Sequence, residues 1–144
     1  MQPLQQAPVP SEYNPRMAKR ALIVGAGGMG RAWGRTLSEN PETEICGWVD
    51  IRPEAAADAA NQQNLSVFTT DDLPKAIEET GPDFVVDVTV PEAHCDVTVT
   101  ALDMGVPVLG EKPMAHSMEA ARKMVAASEA SGKANEPRRP PAPA

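Results

Sequence analysis

The sequence predicts an α/β domain, a doubly wound parallel sheet with helices on both faces. Three observations predict it. Short Val- and Ile-rich runs alternate with helix-like stretches five times along the chain. The runs show little polar alternation, as strands covered on both faces do. A glycine-rich turn, Gly25-Ala26-Gly27-Gly28-Met29-Gly30, falls where the first run meets the first helix. A repeated β-α order favours right-handed crossovers, and such sheets take their ligands beyond the carboxyl ends of the strands, where the winding reverses.

The elements follow in order. The first strand reads as Ala21–Gly25, and the first helix as Gly28–Glu39, opened by the glycines. The second strand is Glu44–Asp50. The helix after it, Pro53–Gln62, has proline at its first position and runs through Ala-rich sequence. The third strand is Val67–Thr69, and helix Asp72–Glu79 follows with acidic residues placed to cap its start. The fourth strand is Phe84–Val90; helix Glu92–Met104 ends at Gly105, a good residue just past a helix. The fifth strand is Val106–Leu109. The last helix, Met118–Ser131, lies between Ser117 as cap and Gly132 as stop, with Met118, Ala121, Val125 and Ser128 along one face.

The chain of 144 residues suits one ordinary domain with a real core, and with 3% aromatic residues that core is expected to be Val, Ile, Leu, Ala and Met. Proline marks the ends: eight of the 15 prolines lie at 3–15 and 137–143, so the reading is a disordered extension at 1–16, an ordered domain at 17–133 and a disordered Pro-rich tail at 134–144. A formal charge of −7 argues against nucleic acid and against an anionic membrane surface as partners. Cys46 and Cys95 lie 49 positions apart with no Cys/His cluster, so neither a metal site nor a disulfide scaffold is expected. With no long apolar run and no secretory signal, the expected location is the cytoplasm.

The glycine turn fits G-x-G-x-x-G in context: it follows an apolar strand, it opens a helix, and Asp50 ends the next strand 20 positions after Gly30. Gly25 permits the tight turn, Gly27 lets backbone approach a pyrophosphate, and Gly30 lets helix and strand pack closely. Amides and helix dipole near Gly28 and Met29 attract the anion. Asp50 is placed to accept from the adenosine ribose hydroxyls and to repel a 2′-phosphate, which favours NAD(H). Arg52, two residues on, has a guanidinium suited to such a phosphate, so NADP(H) stays open.

The fourth and fifth strands end in Thr89-Val90-Pro91-Glu92-Ala93-His94 and Gly110-Glu111-Lys112-Pro113. A Glu-Lys-Pro beyond an apolar run sets a carboxylate and an ammonium where the reactive end of a dinucleotide is expected. With the glycine turn, Arg31-Ala32-Trp33 and Asp50, these segments resemble the Gfo/Idh/MocA family, the glucose–fructose oxidoreductase, inositol dehydrogenase and rhizopine-catabolism group, over roughly 18–133. The resemblance implies a Rossmann domain of a nicotinamide-dependent oxidoreductase acting on a sugar, polyol or related small alcohol. It implies that Lys112 is the catalytic residue beside the nicotinamide, that Glu111 contacts the nicotinamide ribose, and that the bond before Pro113 is cis. His94 is expected to line the site, with Thr89 and Pro91 shaping the loop along the cofactor. Trp33 reads as a packing residue.

Family members continue into a second α/β domain that supplies the substrate pocket, whereas this sequence runs into its Pro-rich tail. The expectation is a truncated oxidoreductase that binds cofactor and turns over little alone. The alternative is a non-catalytic NAD(H)-binding regulatory or redox-sensing module acting through a partner. Homo-oligomer formation stays open.

Overall fold

A computed structural model describes residues 18–137. Six strands and five helices alternate: β1 (Lys19–Val24), α1 (Gly28–Glu39), β2 (Thr43–Val49), α2 (Pro53–Gln62), β3 (Phe68–Thr70), α3 (Leu73–Thr80), β4 (Phe84–Asp87), α4 (Pro91–Asp103), β5 (Val108–Gly110), α5 (Met118–Ser131) and β6 (Asn135–Pro137). All pairings are parallel, in the order β3-β2-β1-β4-β5-β6. The winding reverses between β1 and β4, the place where sheets of this kind take a ligand.

Successive β1 residues face opposite layers. Leu22 and Val24 pack with Val85, Leu102 and Ile77 on the side of α3, α4 and α5. Ala21 and Ile23 pack with Ile45, Trp48 and Val86 on the side of α1 and α2. The expectation of a core without aromatic residues needs one correction: Trp48 is its largest fully buried side chain. The space comes from Gly34 on α1, where an added Cβ would lie 2.6 Å from the Trp48 ring.

The predicted caps hold where side chains can reach. Asp72 accepts from the Lys75 amide and Ser117 from the Ala120 amide; Gly81, Gly105 and Gly132 leave their helices at positive φ. Most boundaries move by one or two residues from expectation, and three of the differences have a visible cause. β4 stops at Asp87 because its side chain accepts from the Thr89 amide and turns the chain out of the ladder. β5 starts later than expected, since the Val106 amide closes the end of α4 by bonding Ala101 O. The tail reading is corrected at 135–137: these residues pair with β5 as an edge strand, where a proline is tolerated because its missing N–H faces away from the sheet. The readings of 1–16 and of 138–144 lie outside the described residues. Among the described residues no helix is long and apolar enough to cross a membrane.

Candidate functional site

The glycine turn is built by four constraints. The Gly25 amide donates to Val49 O, and the Gly25 carbonyl accepts from the buried indole of Trp48 at 2.8 Å. Gly25 has φ +114°, and a Cβ there would stand 2.7 Å from Val88 O. A Cβ on Gly30 would stand 2.0 Å from Gly25 O. The first and third glycines are therefore required by the protein's own backbone. The middle ones are not: a Cβ on Gly27 or Gly28 meets nothing within 4 Å. Gly27 sits at the N-cap of α1 with no side chain capping it, so the first amides of the helix that follows are left for another acceptor. Open space in front of free amides at a helix N-terminus fits a phosphate group.

Asp50 follows β2 and reaches back to the turn. Its Oδ2 accepts from the Ala26 amide at 2.8 Å and its Oδ1 from the Arg52 amide at 2.9 Å. Each oxygen retains a lone pair for a further donor. Arg52 caps α2 with its backbone, and its side chain is exposed. Met29 is half exposed in the first turn of α1.

Across the reversal, the end of β4 carries a buried polar network. Asp87 is 1% exposed and accepts from Thr89 Oγ1 at 2.6 Å and from the Thr89 amide at 3.1 Å. His94, 2% exposed, brings Nδ1 to 2.9 Å from Asp87 Oδ2 and 3.2 Å from Thr89 Oγ1. His94 thus faces inward onto Asp87, with Pro91 at the first position of α4 above it. Asp87 had no part in the sequence reading. Its signal is there: a carboxylate inside Phe84-Val85-Val86-Asp87-Val88, a run otherwise fit for burial, requires partners, and Thr89 and His94 supply them.

The turn after β5 joins this network. Gly110 is in register with Asp87, and the Glu111 amide donates to Asp87 O at 3.1 Å. Glu111 Oε1 accepts from the indole Nε1 of Trp33, on α1, at 2.7 Å. Lys112 comes next, exposed, ahead of a cis bond to Pro113, and forms no ion pair among the described residues. The structure thereby gathers the glycine turn, Asp50, Thr89, Pro91, Glu111 and Lys112 at one end of the sheet. Arg52 stands at the rim on the β2 side.

A family model described as oxidoreductase family, NAD-binding Rossmann fold, matches residues 19–135. The chain belongs to the Gfo/Idh/MocA family. It is 33% identical over 111 residues to an uncharacterised protein, y4oX, of Sinorhizobium fredii, covering 72% of this chain and 30% of that one. It is 32% identical over 95 residues to a 4-hydroxy-tetrahydrodipicolinate reductase of Syntrophomonas wolfei, covering 62% and 36%. Among solved structures it resembles GenD2 from gentamicin A biosynthesis in complex with NAD, at TM-score 0.77 and 26% identity over 92% of this chain and 37% of that one. It also resembles the myo-inositol dehydrogenase of Lactobacillus casei in complex with NAD(H) and myo-inositol, at TM-score 0.75 and 28% identity over 79% and 34%. The chain spans about a third of the length of these relatives and corresponds to the NAD-binding domain of the family.

Proposed function

We propose that this chain binds NAD(H) across the β1/β4 reversal and is the cofactor half of a dehydrogenase for a sugar, polyol or related small alcohol. The observation that carries the reading is the contrast among the glycines. Gly25 and Gly30 answer to the protein's own atoms, whereas Gly27 and Gly28 face open space at a helix N-terminus. Two of the similar structures hold NAD or NAD(H), one of them with myo-inositol.

In this reading the amides after Gly27 hold the pyrophosphate. Asp50, already fixed by Ala26 and Arg52, turns its remaining lone pairs to the adenosine ribose hydroxyls. Its charge disfavours a 2′-phosphate, which the Arg52 guanidinium would favour, and the carboxylate, fixed by two amides, prevails, so NADH binds more tightly than NADPH. Thr89 and Pro91 shape the wall of the crevice, and Asp87 and His94 hold that wall from within. Glu111 takes the nicotinamide ribose. The bound nicotinamide supplies hydride chemistry. Lys112 orients the oxygen of the substrate alcohol and assists removal of its proton. The matched residues 19–135 supply the cofactor side of the site, so by themselves they bind cofactor and turn over very little.

Fluorescence titration of the 144-residue chain with NADH and NADPH tests this. The expected result is saturation by NADH at lower concentration than by NADPH, by about tenfold, an energy difference of about 1.4 kcal/mol. Absence of saturable binding of either up to millimolar concentration overturns the reading.

A further inference from the structure

We infer that Trp33 is a positioning residue for the nicotinamide half of the site, acting through the carboxylate of Glu111; the inference rests on the cofactor reading above. Trp33 is on α1, three residues past the last glycine of the turn, and Glu111 is 78 positions later, beyond β5. The indole N–H and the carboxylate meet at 2.7 Å, a charge-assisted bond that ties the helix of the phosphate turn to the residue beside Lys112. The backbone of Glu111 is fixed as well, its amide on Asp87 O at the end of β4. Main chain and carboxylate are thus anchored to different elements on the two sides of the β1/β4 reversal.

A packing role alone does not account for this. Trp33 is only partly buried against the core layer of α1 and α2, and its ring lines a surface hollow of about 200 Å³ with Met29 of the glycine turn. A partly buried indole at the rim of a surface hollow can satisfy its N–H with water. Here it is aimed at a carboxylate contributed by the opposite side of the crevice. A glutamate side chain has several free torsions, and holding it before a ligand arrives removes the ordering cost from the binding step. The Trp33 bond therefore acts on contacts to the nicotinamide ribose and leaves those to adenosine and pyrophosphate alone.

The test compares NADH with ADP, which carries the adenosine diphosphate half only, by calorimetric titration of the full chain. Trp33→Phe keeps an aromatic ring and removes the donor. It is expected to weaken NADH about tenfold and leave ADP unchanged, and to cause no further loss in a Glu111→Ala background. Equal loss for both ligands, loss for neither, or full additivity with Glu111→Ala overturns the inference. A measurement on the unmodified chain guards against misfolding of the variant. The two tryptophans give two indole N–H resonances. The one from Trp48, bound to Gly25 O, should move with ADP and with NADH. The one from Trp33 should move with NADH alone, and a Trp33 resonance indifferent to NADH overturns the inference. An unmodified chain that binds neither ADP nor NADH overturns the cofactor reading, and this inference with it.

Discussion

Glycine occurs in the turn between β1 and α1 for two different physical reasons, and alanine substitution separates them. At Gly30 a Cβ would overlap Gly25 O at 2.0 Å, a backbone contact that cannot relax without moving the turn off the Trp48 indole. Gly30→Ala is expected to cost about 3 kcal/mol or more, as overpacking against fixed atoms does. At Gly27 the backbone has φ −79°, ordinary for any residue, and a Cβ meets no protein atom. Gly27→Ala is expected to lose only about 1 kcal/mol of stability, a capping preference, while NADH affinity falls more than about tenfold because the methyl occupies the phosphate's place. Thermal unfolding beside NADH titration checks both. A Gly27→Ala chain as unstable as Gly30→Ala would show that the space serves the fold and not a ligand.

At the scale of elements, β4 and the start of α4 depend on one carboxylate. Asp87 takes the amide and hydroxyl of half-buried Thr89 and the Nδ1 of buried His94. Asp87→Ala takes the acceptor from the Thr89 amide and the carboxylate partner from buried His94, leaving the Thr89 hydroxyl only His94 Nδ1 at 3.2 Å and Val90 O at 3.5 Å, at a cost of about 3 kcal/mol, which lowers the unfolding temperature by on the order of 10 °C. Circular dichroism melting measures it. In β2, burial pushes the Cys46 thiol up from its usual value, outweighing the lowering effects of the Thr80 hydroxyl and the Arg20 charge. The folded-state pKa then lies above the unfolded one. The stability this contributes is complete below the unfolded thiol pKa and is lost as pH rises past it toward the folded value. Melting from pH 8 to 10.5 should show a decline above about pH 9 that is shallower in Cys46→Ala. The elements themselves were legible in sequence because periodicity, proline at helix starts and glycine at helix ends report on neighbours in the chain. The glycine turn and Asp50 were legible because they form a recognised spacing in a strand–turn–helix context, one that the proposed cofactor would fix. The Trp33–Glu111 and Trp48–Gly25 bonds were not, since they join residues 78 and 23 positions apart and no local pattern encodes such a pairing. Asp87 was overlooked inside an apolar run whose hydrophobicity is what marked the strand.

At the scale of the whole molecule, the sheet order divides the site into two halves with different support. In the proposed reading the adenosine side rests on β1 and β2, in the middle of the sheet. In that reading the nicotinamide side rests on β4 and on β5, which leads into Glu111 and Lys112 and, among the described residues, has β6 alone beyond it. Residue 134 belongs to that support too, because Ala134 O accepts from the Val108 amide at the start of β5. A chain ending at Lys133 loses this acceptor and the whole of β6, and leaves the edge of β5 bare. The expected result is a drop in unfolding temperature of about 5 °C or more, for roughly 1–2 kcal/mol of lost edge pairing, with a greater tendency to aggregate. The two ligand halves should respond unequally: ADP binds the shortened chain as it binds the full one, while NADH binds it more weakly, because the turn bearing Glu111 and Lys112 is no longer held from its outer side. Differential scanning fluorimetry and paired ADP and NADH titrations read both effects. Equal loss of the two ligands would mean that the sheet responds as one rigid body and that the edge strand does not specifically support the reactive half.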